Sequence, residues 1–156
     1  MENMAGRLSS TIGPLRRRLL RMTRQAAGLP VIPDASIELM RVVDQLGTPT
    51  VAEVAAALNT ATSTVSNLLR TLQRDELIIR APDEADRRVS RLTLTDRARG
   101  LLQRYDGVSE QLVAEAVSRM DAASRANLEP ATEALQALLH ALEEVERTPL
   151  DAEPPE

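Results

Sequence analysis

Apolar residues recur at helical spacing over most of the chain, and the pattern changes period only once. Ile12, Leu15, Leu19, Met22 and Ala26 fall three or four residues apart, which predicts a first amphipathic helix. Pro14 suits the first turn of that helix, and Gly28 and Pro30 end it. Residues 1–11 carry no such stripe and are expected to be flexible. Asp34 or Ser36 can cap a second helix bearing Ile37, Met40, Val43 and Leu46, closed by Gly47.

Thr50, with Glu53 three residues on, has the spacing of a capping box. The short helix that it opens carries Val54, Ala55 and Leu58. A polar break at Asn59–Thr62 leads into a helix with Val65, Leu68, Leu69 and Leu72. Two short helices joined by a tight turn form a helix-turn-helix. The period then switches from helical to alternating. Leu77-Ile78-Ile79 is an apolar run with two β-branched residues, Pro82–Asp86 reads as a turn, and Val89–Thr95 alternates. This is a two-stranded hairpin with a charged tip, in the place of a wing.

From Asp96 onward, Ala98, Leu101, Leu102, Tyr105, Val108, Leu112 and Ala116 form one apolar stripe. Asp121 can cap a last helix with Leu128, Leu135, Leu138, Leu142 and Val145. The acidic, proline-containing segment 148–156 reads as a disordered tail. The expected fold is mainly α with a small β-hairpin wing. A winged helix-turn-helix at 34–95 is framed by helical dimerisation segments at 12–33 and 96–147. The terminal stripes exceed what a small winged-helix core can cover, and a symmetric homodimer would bury them.

Composition narrows the chemistry. The 156 residues include no Cys and a single His, His140, which removes disulfides, thiolate metal sites and multi-histidine metal sites. The six glycines are scattered and form no phosphate loop. No enzyme activity, metal or cofactor is expected. No apolar run is long enough to cross a bilayer and no signal-peptide core is visible, so a cytoplasmic location without membrane association is expected. The net charge of −4 is unevenly spread. Residues 7–46 hold seven Arg against three acids and residues 60–104 nine against six, whereas residues 105–156 hold three against twelve. An acidic protein with local basic surfaces can still bind phosphate.

Two polar surfaces could use that charge. The helix at 62–73 opposes its apolar face with Thr62, Ser63, Thr64, Ser66, Asn67 and Arg70. The small residues let a backbone approach base edges, and Asn67 and Arg70 can make bidentate contacts to adenine and guanine. By itself, such a face is equally a solvated helix surface. Arg80, Arg87, Arg88 and Arg91 cluster around a turn that also contains Asp83, Glu84 and Asp86. Arginine on a narrow ribbon can enter a minor groove, where negative potential is focused.

The order of elements and the stretch Asp86-Arg87-Arg88-Val89-Ser90-Arg91-Leu92-Thr93-Leu94-Thr95 resemble the MarR family of transcriptional regulators, with its Asp-x-Arg wing motif and Leu-Thr strand end. Thr50–Ala55 and Ser63–Ser66 are similar to its helix-turn-helix signatures. The resemblance covers residues 12–146. It implies a dimer on a pseudo-palindromic DNA operator, with 62–73 in the major groove and 80–92 in the minor groove. Arg87, Arg88 and Arg91 would contact DNA, and Asp86 would brace the wing. It further implies a repressor released by a small-molecule effector, for which Tyr105 and His140 are the candidate pocket residues. Three positions depart from the family pattern: Ala61 where a capping Ser is usual, and Glu76 and Ala98 where Gly is usual. Glu76 implies that its helix ends without a left-handed glycine cap. The alternative function is a winged-helix protein–protein interaction module without DNA binding.

Overall fold

A computed structural model describes residues 2–28, 32–83 and 86–147. Pro30, the turn residues Glu84 and Ala85, and the 148–156 tail lie outside the described residues. The helices are α1 (Glu2–Ala27), α2 (Asp34–Leu46), α3 (Val51–Ala57), α4 (Thr62–Arg74), α5 (Asp96–Ser118), α6 (Ala122–Ala126) and α7 (Leu128–Arg147). Between α4 and α5 run strands β1 (Ile78–Pro82) and β2 (Ser90–Leu94). The chain divides into two units, Met1–Val113 and Ala114–Glu156.

In the first unit, aliphatic side chains alone build the centre of the core. Leu39, Met40 and Val43 of α2 meet Val54 and Ala55 of α3 and Val65, Leu69 and Leu72 of α4. Leu77, Ile78, Leu92 and Leu94 close the core from the hairpin, and Ala98 and Leu102 close it from α5. The strands pair antiparallel from Ile78 opposite Leu94 to Pro82 opposite Ser90. Beyond β2, the Leu92 N–H donates to the Pro49 carbonyl at 2.8 Å, so the segment before α3 extends the hairpin by one bridge between Thr50 and Arg91.

Capping explains why the helices start and stop where they do. Thr50 and Glu53 form the expected box: Thr50 Oγ1 accepts from the Glu53 N–H at 3.2 Å, and Glu53 Oε2 accepts from the Thr50 N–H at 2.6 Å. Gly47, at φ +80°, ends α2 in a conformation that glycine adopts without strain. Several ends differ from the sequence expectation. Neither Asp34 nor Ser36 caps α2: Pro33 occupies the cap position, Asp34 is the first helical residue and Ser36 is buried. Ala61 stands at the cap of α4, which therefore starts without a side-chain cap. Helix α1 starts at Glu2, which places Pro14 in its interior and makes residues 2–11 helical. Met4, Ala5, Arg7 and Leu8 favour helix there, and the Ser10 and Thr11 hydroxyls bond back to the Arg7 carbonyl.

The end of α4 is the clearest correction. Glu76 adopts φ +56°, the Glu76 N–H donates to the Gln73 carbonyl and the Leu77 N–H to the Leu72 carbonyl. This is a complete left-handed cap built without glycine, held by burial of both Leu72 and Leu77. Asn59 at φ +44° closes α3 in the same way. A β-carbon in this conformation costs roughly 1–2 kcal/mol, so Glu76→Gly should stabilise the fold by about 1 kcal/mol after the extra freedom of glycine in the unfolded chain is counted. A thermal melt that fails to move upward would show that Glu76 stores no strain.

In the second unit, Asp121 caps the short α6 rather than a long final helix. Its Oδ1 accepts from the Ser124 N–H at 2.8 Å, and α7 begins separately at Leu128. Among the described residues from Ala114 to Val145, none is buried. Leu135, Leu139, Leu142 and Val145 of α7 each keep about half of their surface in solvent. On α1, Met4, Ile12, Leu15 and Met22 are likewise exposed.

Candidate nucleic-acid interface

Helix α4 turns Val65, Leu69 and Leu72 into the core, and this fixes its opposite face toward solvent. Thr62, Ser63, Thr64, Ser66, Asn67 and Arg70 are all exposed there, as the sequence predicts. The Arg70 guanidinium donates to Asn67 Oδ1 at 2.8 Å, one helical turn away, so the two long side chains of this face are held together. The free N–H groups of that pair point to a surface that can donate to acceptor-rich base edges.

The wing is organised by two aspartates. Asp86 Oδ1 accepts from the Arg88 N–H at 2.9 Å, and the Asp86 N–H donates to Asp83 Oδ1 at 3.1 Å. The Asp83 N–H donates to the Val89 carbonyl at 2.9 Å, and the Val89 N–H donates to the Asp86 carbonyl at the same distance. The carboxylates thus satisfy backbone donors of the turn, and the side chains of Arg87 and Arg88 remain exposed with no acceptor among the described residues. Arg80 is also exposed, on β1.

Arg91 behaves differently from its neighbours. Its Nε donates to Asp83 Oδ2 at 2.6 Å, while its Nη1 lies 3.3 Å from the Thr48 carbonyl and 3.4 Å from Glu53 Oε2. Hydrogen bonding to Asp83 raises the affinity of Arg91 for its proton, and hydrogen bonds from Thr50, with the charge of Arg91, lower the pKa of Glu53 below the ordinary carboxylate range. The role of Asp83 escapes sequence reasoning, which saw only a charged tip. The hairpin register carried the signal: Asp83 faces Val89, which makes Arg91 its diagonal neighbour on the same face.

The two candidate pocket residues fare unequally. Tyr105 is buried and lines a cleft with Arg24, Ile32, Ile37, Met40, Leu101 and Leu102, enclosing about 10 Å³, room for about one water. Its hydroxyl has no hydrogen-bond partner among the described residues, and burial raises its pKa. Arg41 lies over the ring, 6.0 Å from its centroid, and forms a bidentate pair with Asp106. Arg24 pairs with Asp34 and with the Ile32 carbonyl. His140 is exposed on α7 and belongs to the other unit. Among the described residues no cluster of His, Asp or Glu could hold a metal, and no helix is long and apolar enough to cross a membrane.

A helix-turn-helix followed directly by an antiparallel hairpin defines a winged helix-turn-helix protein. Residues 32–90 match the family model of the MarR family. The fold agrees with solved structures over most of the chain. A candidate transcriptional regulator from Pseudomonas aeruginosa PA01 is 28% identical, with a TM-score of 0.75 over 88% of this chain and 95% of that one. FabT of Streptococcus pneumoniae, in complex with DNA, is 21% identical with a TM-score of 0.70, covering 88% of this chain and 99% of its own. MepR of S. aureus, bound to ethidium bromide, is 22% identical with a TM-score of 0.59, covering 84% and 95%. No curated protein matches the sequence.

Proposed function

We propose that the protein is a dimeric, sequence-specific DNA-binding transcription regulator that acts as a repressor. The observation that carries this reading is the pairing, on one winged helix, of a wholly polar exposed α4 face with two exposed wing-tip arginines that have no acceptor among the described residues. The first suits base edges in the major groove, the second the narrow minor groove beside it. The DNA-bound state of the structurally similar FabT supports the assignment. Repression would need nothing beyond DNA binding where the bound site overlaps a promoter.

Dimerisation is supported by the exposed apolar side chains of α1 and α7 and by the absence of any buried residue among those described from Ala114 to Val145. Aliphatic stripes of that length, left in water, are a liability that a two-fold partner removes. Two copies would present their α4 helices to half-sites about 34 Å apart.

Genomic DNA fragments selected with the purified protein should contain an enriched, inverted-repeat motif. Affinity for that motif should fall about 10³-fold or more between 50 and 200 mM salt if at least six phosphates are neutralised. A protein that selects no motif, or whose binding ignores salt, belongs instead to the interaction-module class.

A second reading concerns control. The Tyr105 hydroxyl and Arg24 Nε are both buried beside one cleft, without hydrogen-bond partners among the described residues. Buried polar groups are normally hydrogen-bonded; in the cleft as it stands one water can accept from both, and a small polar effector would replace that water only if the cleft opens. MepR, seen with ethidium bromide, shows that a protein of this fold can hold a small molecule. Loss of operator binding on adding aromatic carboxylates, abolished by Tyr105→Phe, would support this control.

A further inference from the structure

We infer that Arg91 is a positioning residue, a tie that sets the wing against the helix-turn-helix, and that it makes no DNA contact of its own. The inference rests on the DNA-binding reading above and departs from the role that the wing motif implies for this arginine. One guanidinium joins three separate pieces of chain. Nε bonds Asp83 at the end of β1, and Nη1 reaches both the Thr48 carbonyl in the segment before α3 and Glu53 in the first turn of α3. Glu53 is itself fixed by the capping box with Thr50, so the far anchor of the tie is the start of the helix-turn-helix. The backbone runs in parallel with it: Thr50 bridges Arg91, and the Leu92 N–H bonds the Pro49 carbonyl.

Asp83 completes the link outward to the tip. One of its oxygens holds Arg91 and the other accepts from the Asp86 N–H, while Asp86 accepts from the Arg88 N–H. A continuous chain of contacts therefore runs from the α3 cap through Glu53, Arg91, Asp83 and Asp86 to the backbone of Arg88. Arg87 and Arg88 carry the free charge, and Arg91 determines where it is presented. A guanidinium is needed because its planar fork can serve two directions at once, which a lysine ammonium on a flexible stem does poorly.

The sign of one substitution separates this from a simple electrostatic role. Asp83→Asn removes a negative charge from the DNA-facing wing, which by charge alone should tighten binding. If Asp83 and Arg91 position the wing, the same change should weaken it. Affinity of the full-length protein for its selected motif should fall several-fold to about tenfold in Asp83→Asn, Arg91→Gln and Arg91→Lys alike. The slope of log affinity against log salt should stay at the wild-type value in Arg91→Gln, whereas loss of a phosphate contact flattens it by about 0.9 for each contact removed. Amide exchange measured without DNA gives a readout independent of the DNA-binding reading: the Val89 and Leu92 N–H groups should exchange faster in Arg91→Gln, at an unchanged far-ultraviolet spectrum. Tighter binding by Asp83→Asn, full affinity in Arg91→Lys, or a flattened slope in Arg91→Gln would overturn the inference. Failure of the wild-type protein to select DNA, with faster exchange still seen in the variant, would remove the function and leave the tie.

Discussion

Leu69→Ala should destabilise the winged-helix unit by about 2–5 kcal/mol. Leu69 is 2% exposed and sits between Val65 and Leu72 on the one face of α4 that meets the core. The core cluster around it contains no aromatic ring that could fill the space left by the lost isobutyl group. The cluster is mostly Leu, Val and Ile, close-packed so that only Met40 of α2 has the flexibility to move toward a void. A domain of this size has roughly 5–15 kcal/mol of stability in all, so the variant should unfold at markedly lower denaturant or temperature. The same residue holds the polar face of α4 in place, and DNA affinity should fall even well below the melting midpoint. A denaturation midpoint within about 1 kcal/mol of wild type would mean that the α4 core face packs more loosely than the burial implies.

The helix-turn-helix was legible because its signals are local. Thr50 and Glu53 announce a capping box that needs only four residues to form, and Gly47 marks the end of α2. The shift from three-four spacing to alternation located the hairpin, although β1 runs three residues beyond the apolar run and takes in Pro82, which the sequence placed in the turn. The polar face of α4 followed from the same periodicity, since Val65, Leu69 and Leu72 can face the core only if Ser63, Ser66, Asn67 and Arg70 face out.

What escaped was set by interactions between distant positions or by conformations that residue type disfavours. Glu76 takes a left-handed geometry because Leu72 and Leu77 are buried together across it, and packing overrides the preference for glycine. Helix formation over residues 2–11 carries no apolar stripe to announce it, and propensity alone supports it. Pro130 in the first turn of α7 marks a new helix start, yet the capping potential of Asp121 ahead of the stripe from Leu128 suggested one helix from Asp121. Arg91 reads in sequence as one of four wing cations. Only the fold reveals that Glu53, thirty-eight residues upstream, shares its guanidinium.

Those distinctions decide what a charge deletion at the tip should do. Arg88→Ala should weaken operator binding by about 1–3 kcal/mol in the dimer and flatten the salt dependence by about 1 for each subunit whose contact is lost. The side chain is exposed and finds no acceptor among the described residues, so its removal breaks no intramolecular bond. Its backbone N–H, held by Asp86, survives the substitution, and the wing should keep its shape. The melting temperature should therefore stay within about a degree or two of wild type, because surface truncations away from packed or capped positions usually shift stability by less than about 0.5 kcal/mol. Stability and affinity thus separate at this position, whereas at Leu69 they fall together. Arginine entering a minor groove responds to its width, so the loss should be greatest on operators with A·T-rich flanks and smallest on G·C-rich ones. An Arg88→Ala dimer that binds every operator as wild type does would place the wing outside the DNA interface and leave α4 as the whole of it.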